Sequence, residues 1–128
     1  MTITIGMTGT ATRIVSETET AKVVKSGSLP VLATPVLSAL MEEAACDALK
    51  EGLTGDETTV GGFIGLIHKA PTLPGKRITA IATVTEVKGK KISFHITACD
   101  ETGDIGEAEH TRFVVLAGPF MEKVEARK

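Results

Sequence analysis

The chain has 128 residues, 42% of them apolar, and a formal charge of −2. That is the size of one domain with one core, read as a single unit over residues 1–128, and the charge balance gives no sign of an affinity for nucleic acid. Four Phe with no Trp or Tyr leave an aliphatic core.

The opening "MTITIGMTG" has no basic n-region and no long apolar h-region, so no signal peptide is expected. No apolar run approaches a membrane span. Cys46 and Cys99 form no disulfide framework, which points to a reducing, cytoplasmic setting. "TATRIVSETETAKVV" (10–24) is rich in Thr and Val with partial alternation and predicts one strand. "KSGSLP" then marks a turn.

A helix is predicted next. Thr34 suits its N-cap and Pro35 its first residue, where the missing N–H has no partner to lose. Val36, Leu37, Leu40, Met41, Ala44, Ala45, Ala48 and Leu49 recur at helical spacing. Gly52 supplies the stop. Four strands follow. "TTVGGFIGLIHKA" contains glycines, and "RITAIATVTEV" is a β-branched run. The turn "KGKK" leads into "KISFHITAC", which places Ile92, Phe94, Ile96 and Ala98 on one face. "GEAEHTRFVVLAG" is the last strand, and "PFMEKVEARK" is a short helix or tail. The order is α+β with antiparallel neighbours. A five-stranded antiparallel sheet curled around one long central helix is the hot-dog architecture, and its edges invite pairing between copies.

Adjacent helical residues lie about 100° apart, so Glu42 and Glu43 cannot share an environment. Glu43 falls on a wet stripe with Asp47 and Lys50. Glu42 falls with Ser38, Ala45, Cys46 and Leu49, a small and mainly apolar stripe. A carboxylate in such a poorly hydrated place suits a general base, against the plainer reading of a solvated groove edge. Thr34 can cap the helix or meet a carbonyl oxygen at the helix N-terminus. His68 shares a strand face with Ile64 and Leu66, as a satisfied core histidine also would. His95 lies on the polar face of its strand, and His110 shares a face with Arg112. Gly61, Gly62 and Gly65 lack the Lys-Ser/Thr of a phosphate loop, so they mark a bulge or a close approach to a ligand. The basic turn Lys88, Lys90, Lys91 reads as a solvated hairpin, with contact to a phosphate as the alternative. No spacing suits a metal, and no G-x-S-x-G is present.

"ATPVLSALMEEAA", "GGFIGLIHKAPTLPGKRITAIATVTEVKGKKISFHITACDETGDIG" and "GEAEHTR" together resemble hot-dog acyl-CoA thioesterases of the fluoroacetyl-CoA thioesterase type, over roughly residues 10–120. The resemblance implies hydrolysis of an acyl thioester with Thr34, Glu42 and His68 as catalytic residues. It also implies a Gly61 backbone N–H near the thioester, no cofactor beyond the CoA of the substrate, and a homodimer with acyl-CoA at the interface. Pairing of dimers into tetramers stays open. Gly61, the adjoining Gly62 and Arg112 are assigned to substrate binding. Glu42 acts as base on water or as a nucleophile giving an anhydride. The segment "KSGSLPVLA" lacks the phenylalanines that cover the acyl group in the fluoroacetyl-specific enzyme. Glu43 stands where that enzyme has a bulky aromatic. A small or medium acyl group is therefore expected. A non-catalytic acyl-CoA or small-ligand-binding hot-dog protein is the alternative from another class.

Overall fold

In the computed structural model, which describes residues 1–127, five strands form one antiparallel sheet: β1 (Thr8–Ile14), β2 (Glu57–His68), β3 (Arg77–Lys88), β4 (Lys91–Cys99) and β5 (Asp104–Leu116). Their order is β1-β3-β4-β5-β2, so β1 and β2 are the edges. The long helix α2 (Thr34–Leu49) buries Leu37, Leu40, Met41, Ala44, Ala45, Ala48 and Leu49. Against it lie Ile78, Ile92, Phe94 and Ile96 from the concave face of the sheet, all fully buried. This is the expected hot-dog architecture, and the alternation read in "KISFHITAC" is observed residue for residue. No helix among the described residues is long and apolar enough to cross a membrane.

Small side chains set the approach of helix to sheet. A Cβ on Gly9 of β1 would collide with the backbone of Ala44 and Ala48. The glycine therefore lets strand and helix meet main chain to main chain. Asp47 fixes that crossing by accepting a hydrogen bond from the Thr10 N–H, 2.9 Å.

Two local expectations change. The stretch 10–24 is not one strand: β1 ends at Ile14, a 3-10 turn covers Glu17–Glu19, and the short helix α1 spans Ala21–Val24. The cause is local polar chemistry stronger than the β-propensity of Thr and Val. The Ser16 N–H donates to Glu19 (2.9 Å), Arg13 braces the same carboxylate (2.8 Å), and the Thr20 hydroxyl caps α1. Lys25 then ends α1 in the left-handed region at φ 65°.

The second change concerns the ends of α2. Ala33 is its N-cap, and Thr34 is its first helical residue. The Thr34 hydroxyl is turned away from the helix amides. At the other end the cap residue Lys50 keeps a right-handed conformation, and Gly52 does not adopt a positive φ, so it is no left-handed cap. A Cβ on Gly52 would strike the Thr2 carbonyl, because the N-terminal segment crosses the chain there, with the Thr2 N–H bonded to the Gly52 carbonyl at 2.7 Å. The C-terminal segment is helical: α3 spans Ala117–Glu125.

Candidate active site

Helix α2 and edge strand β2 run in opposite directions. Thr34, at the helix start, therefore meets His68, at the strand end, while Glu42 meets Gly61, in mid-strand. The Thr34 Oγ1 to His68 Nδ1 distance is 2.8 Å. His68 projects to the helix side of β2 with Ile64 and Leu66, as the alternation predicts, while Phe63, Gly65 and Ile67 face outward. Its other ring nitrogen, Nε2, is buried without a hydrogen-bond partner among the described residues. Burial of the ring pushes the His68 pKa down, against a weaker opposing pull from the Ala70 backbone. The ring is therefore neutral at neutral pH. Beside the pair lies an open cleft of about 320 Å³, walled by Val31, Leu32, Ala70 and Pro71 with Lys69 at its side. Those four residues are aliphatic, and Ser26 adds a hydroxyl to the lining. Glu42 is not part of it.

Eight residues further along α2, about 12 Å along the helix axis, Glu42 accepts a hydrogen bond from Arg112 Nη1 at 3.1 Å. The helical wheel separates the two glutamates correctly. Glu43 points to water and reaches only Arg13, 3.6 Å away. The reason Glu42 is held differs from the expected one. Its side chain is 41% exposed, not enclosed by apolar residues, and what holds it is the guanidinium of Arg112, itself only 8% exposed. That buried cation needs partners, and β2 and β5 supply them. Arg112 Nε donates to Thr59 Oγ1 (2.9 Å) and Nη2 to the Thr59 carbonyl (3.2 Å). Nη1 also meets His110 Nε2 at 3.3 Å. Four of the five guanidinium N–H groups are thus bonded within the protein.

The glycines have distinct jobs here. A Cβ on Gly61 would sit 2.6 Å from Glu42 Oε2 and 3.2 Å from Arg112 Nη1. Only glycine leaves room for the carboxylate to lie against the strand. Gly62 is the bulged residue, since the β2–β5 register passes from Gly61–Arg112 to Phe63–Thr111. A Cβ there would run into the Phe113 ring. The bulge expected from the "GG" pair is real, and it re-aims the strand beside the carboxylate.

Within one protomer, then, Thr34 and His68 come together, Glu42, Gly61 and Arg112 come together, and the two groups stand apart. Thr59 and His110 belong to the second group and escape a reading by motif. Their signal is alternation: His110 and Arg112 are inward residues two apart on β5.

The sequence profile of the fluoroacetyl-CoA-specific thioesterases matches residues 15–117. The chain belongs to that family. It is accordingly a thioester hydrolase. The fluoroacetyl-CoA thioesterase of Streptantibioticus cattleyicolor is 33% identical over 97 residues, covering 76% of this chain and 70% of that protein. A crystal structure of the fluoroacetyl-CoA thioesterase FlK superposes with a TM-score of 0.93 at 27% identity, over 100% of this chain and 99% of that one. A Thermus thermophilus thioesterase-superfamily protein shares the fold, with a TM-score of 0.88 at 22% identity over 98% and 95% of the two chains.

Proposed function

We propose that this thioesterase hydrolyses a small or medium acyl-CoA to the free acid and CoA, at a site completed by a second copy of the chain. The observation that carries the reading is the Thr34–His68 hydrogen bond at an aliphatic cleft, with His68 Nε2 buried and unpartnered. When the Thr34 hydroxyl donates to Nδ1, Nε2 carries the ring proton. It is then the donor that meets the thioester. Glu42 acts on water as base, or attacks the carbonyl itself. In the first case the carboxylate takes a proton from water, the hydroxide adds to the carbonyl carbon, and the C–S bond breaks. The CoA thiolate leaves against the His68 N–H and takes up the proton released from water. The aliphatic walls, without a phenylalanine, favour a plain acyl chain over selective recognition of fluoroacetyl.

The separation of the two groups along α2 is what calls for a second copy. Strand β2 is a twelve-residue edge, and an unpaired edge of that length is a template for a like strand. An antiparallel pairing of two β2 edges about a two-fold axis at Gly65 sets residues of one face opposite each other, and it brings the Gly61–Gly62 bulge of one copy opposite His68 of the other. Glu42 and Arg112 of one protomer then face Thr34 and His68 of its partner, twice per dimer.

The test is thiol release from acyl-CoAs of graded length, with Glu42→Gln and His68→Ala. Each variant should lose about 10² to 10⁴ in kcat/KM, the usual cost of removing a general acid or base. Mixing the two inactive variants after reversible dissociation should restore about a quarter of wild-type activity, because half the dimers are mixed and each mixed dimer has one intact site. Full activity in Glu42→Gln sinks the assigned role. No recovery on mixing sinks the shared site.

A further inference from the structure

Strand β5 carries an inward histidine to which the proposed chemistry gives no task. His110 is 2% exposed. Its Nδ1 lies 2.6 Å from the Phe63 carbonyl. A carbonyl only accepts, so Nδ1 must bear a proton. Its Nε2 lies 3.3 Å from Arg112 Nη1. A guanidinium only donates, so Nε2 must offer its lone pair. Two independent neighbours thus select the same neutral tautomer. The ring is also stacked on Phe94, with centroids 5.7 Å apart and planes at 29°. Each element packed on His110 is accounted for. Helix α2 presents Glu42, β5 presents Arg112, β2 presents the Phe63 carbonyl, and β4 presents the uncharged Phe94. Burial holds the His110 pKa below the ordinary histidine value. The Phe63 carbonyl pulls it back up, Arg112 adds to the lowering, and Glu42 opposes it.

We infer that His110 is a positioning residue for the hydrolysis: as a neutral acceptor it takes one Nη1 proton of Arg112 and so directs the other at Glu42. The chain of contacts runs from the Phe63 carbonyl through His110 and Arg112 to the carboxylate. It starts at the bulge, since Phe63 is the first residue paired after Gly62. The backbone irregularity of the edge strand and the aim of the carboxylate are thereby one construction. A protonated His110 would turn an N–H toward the guanidinium and break the chain in the middle. The inference rests on the role proposed for Glu42.

The test has a spectroscopic arm and a kinetic arm. Nitrogen-15 NMR of the histidine-labelled wild-type protein should find His110 protonated on Nδ1 and bare on Nε2, with no titration where a free histidine titrates, about pH 6.5. An Nε2–H tautomer, or titration near that pH, overturns the inference whatever the enzyme does. In the kinetic arm, His110→Gln returns an acceptor near the Nε2 position, and kcat should stay within about threefold of wild type. His110→Asn keeps the donor to Phe63 and loses that acceptor. Its kcat should fall about 10- to 100-fold with KM little changed, the scale of a misaimed catalytic group. In an Arg112→Lys background the Asn substitution should cost nothing further, because coupled residues are not additive. An equal cost in both backgrounds, beside an inactive Glu42→Gln, defeats this inference alone. Full activity of Glu42→Gln defeats the reading of the site itself.

Discussion

Where Glu42 leaves α2 it meets a guanidinium on β5 that has four of its five N–H groups bonded, and a glycine on the neighbouring β2 leaves room for the carboxylate. Two turns earlier on the same helix, the Thr34 hydroxyl meets one ring nitrogen of His68, and the other nitrogen has no hydrogen bond among the described residues. The first end is held by several hydrogen bonds at once. The second is open, aliphatic and short of one partner. A buried network in which every group is satisfied holds a shape. A buried polar atom left unsatisfied costs free energy until something completes it. The contrast separates the group that is aimed from the group that receives.

Substitution should expose the difference first in turnover. Gly61→Ala places a methyl 2.6 Å from Glu42 Oε2, and the carboxylate must move by roughly an ångström, a displacement that costs about 10² in rate. Gly65→Ala is the control on the same strand. Its Cβ meets the edge of the exposed Phe63 ring at 3.1 Å, which can swing away, so turnover should hold. Equal losses for the two alanines would erase the distinction between the anchored stretch of β2 and the rest.

Unfolding in urea should show the contrast again. Glu42→Ala leaves the Arg112 cation buried without its anion, for a loss of about 1.5–3 kcal/mol, the range for a hydrogen bond to a charged group. Thr34→Val removes a single hydrogen bond at the open end, for about 1 kcal/mol. A Thr34→Val loss as large as that of Glu42→Ala would mean the open end is structural after all.

Much of this was legible in the chain. The helical period gave α2, the period of two gave β4 with its buried face, the β-branched run gave β3, and the glycines of β2 marked a bulge or a close approach. These signals are repeated along many residues, so one exception does not erase them. What the sequence hid was single contacts. Ser16 and Glu19 end the first strand through one backbone hydrogen bond, while Thr and Val on either side still spell β. The Thr34 hydroxyl abandons the capping role that its position suggests for a ring nitrogen 34 residues away. Glu42 was separated from Glu43 by the wheel, but its partner lies 70 residues on. Only the strand order β4-β5-β2 puts Arg112 within reach.

The two ends share one property, and it gives the smallest of the expected effects. His68 at the open end and His110 at the anchored end both have their pKa values lowered, chiefly by burial. In the unfolded chain each returns to about 6.5. A folded pKa below the unfolded one means that the native state binds fewer protons. Each histidine's contribution to stability is therefore complete above about pH 6.5 and declines as pH falls through 6.5 toward the folded value. Each can contribute at most about 1.4 kcal/mol per pH unit in that window. The carboxylates act lower down. Hydrogen bonds and Lys69 hold Asp104 below its usual value, and Thr102 and Thr72 do the same for Asp100. Their contribution begins to be lost only near pH 4. Urea midpoints measured between pH 8 and pH 3 should thus fall in two stages, the histidine stage first. His110→Gln should flatten that first stage and leave the second in place, and His68→Gln combined with it should remove the first stage. A first stage that survives both substitutions would show that neither ring is held neutral by the fold.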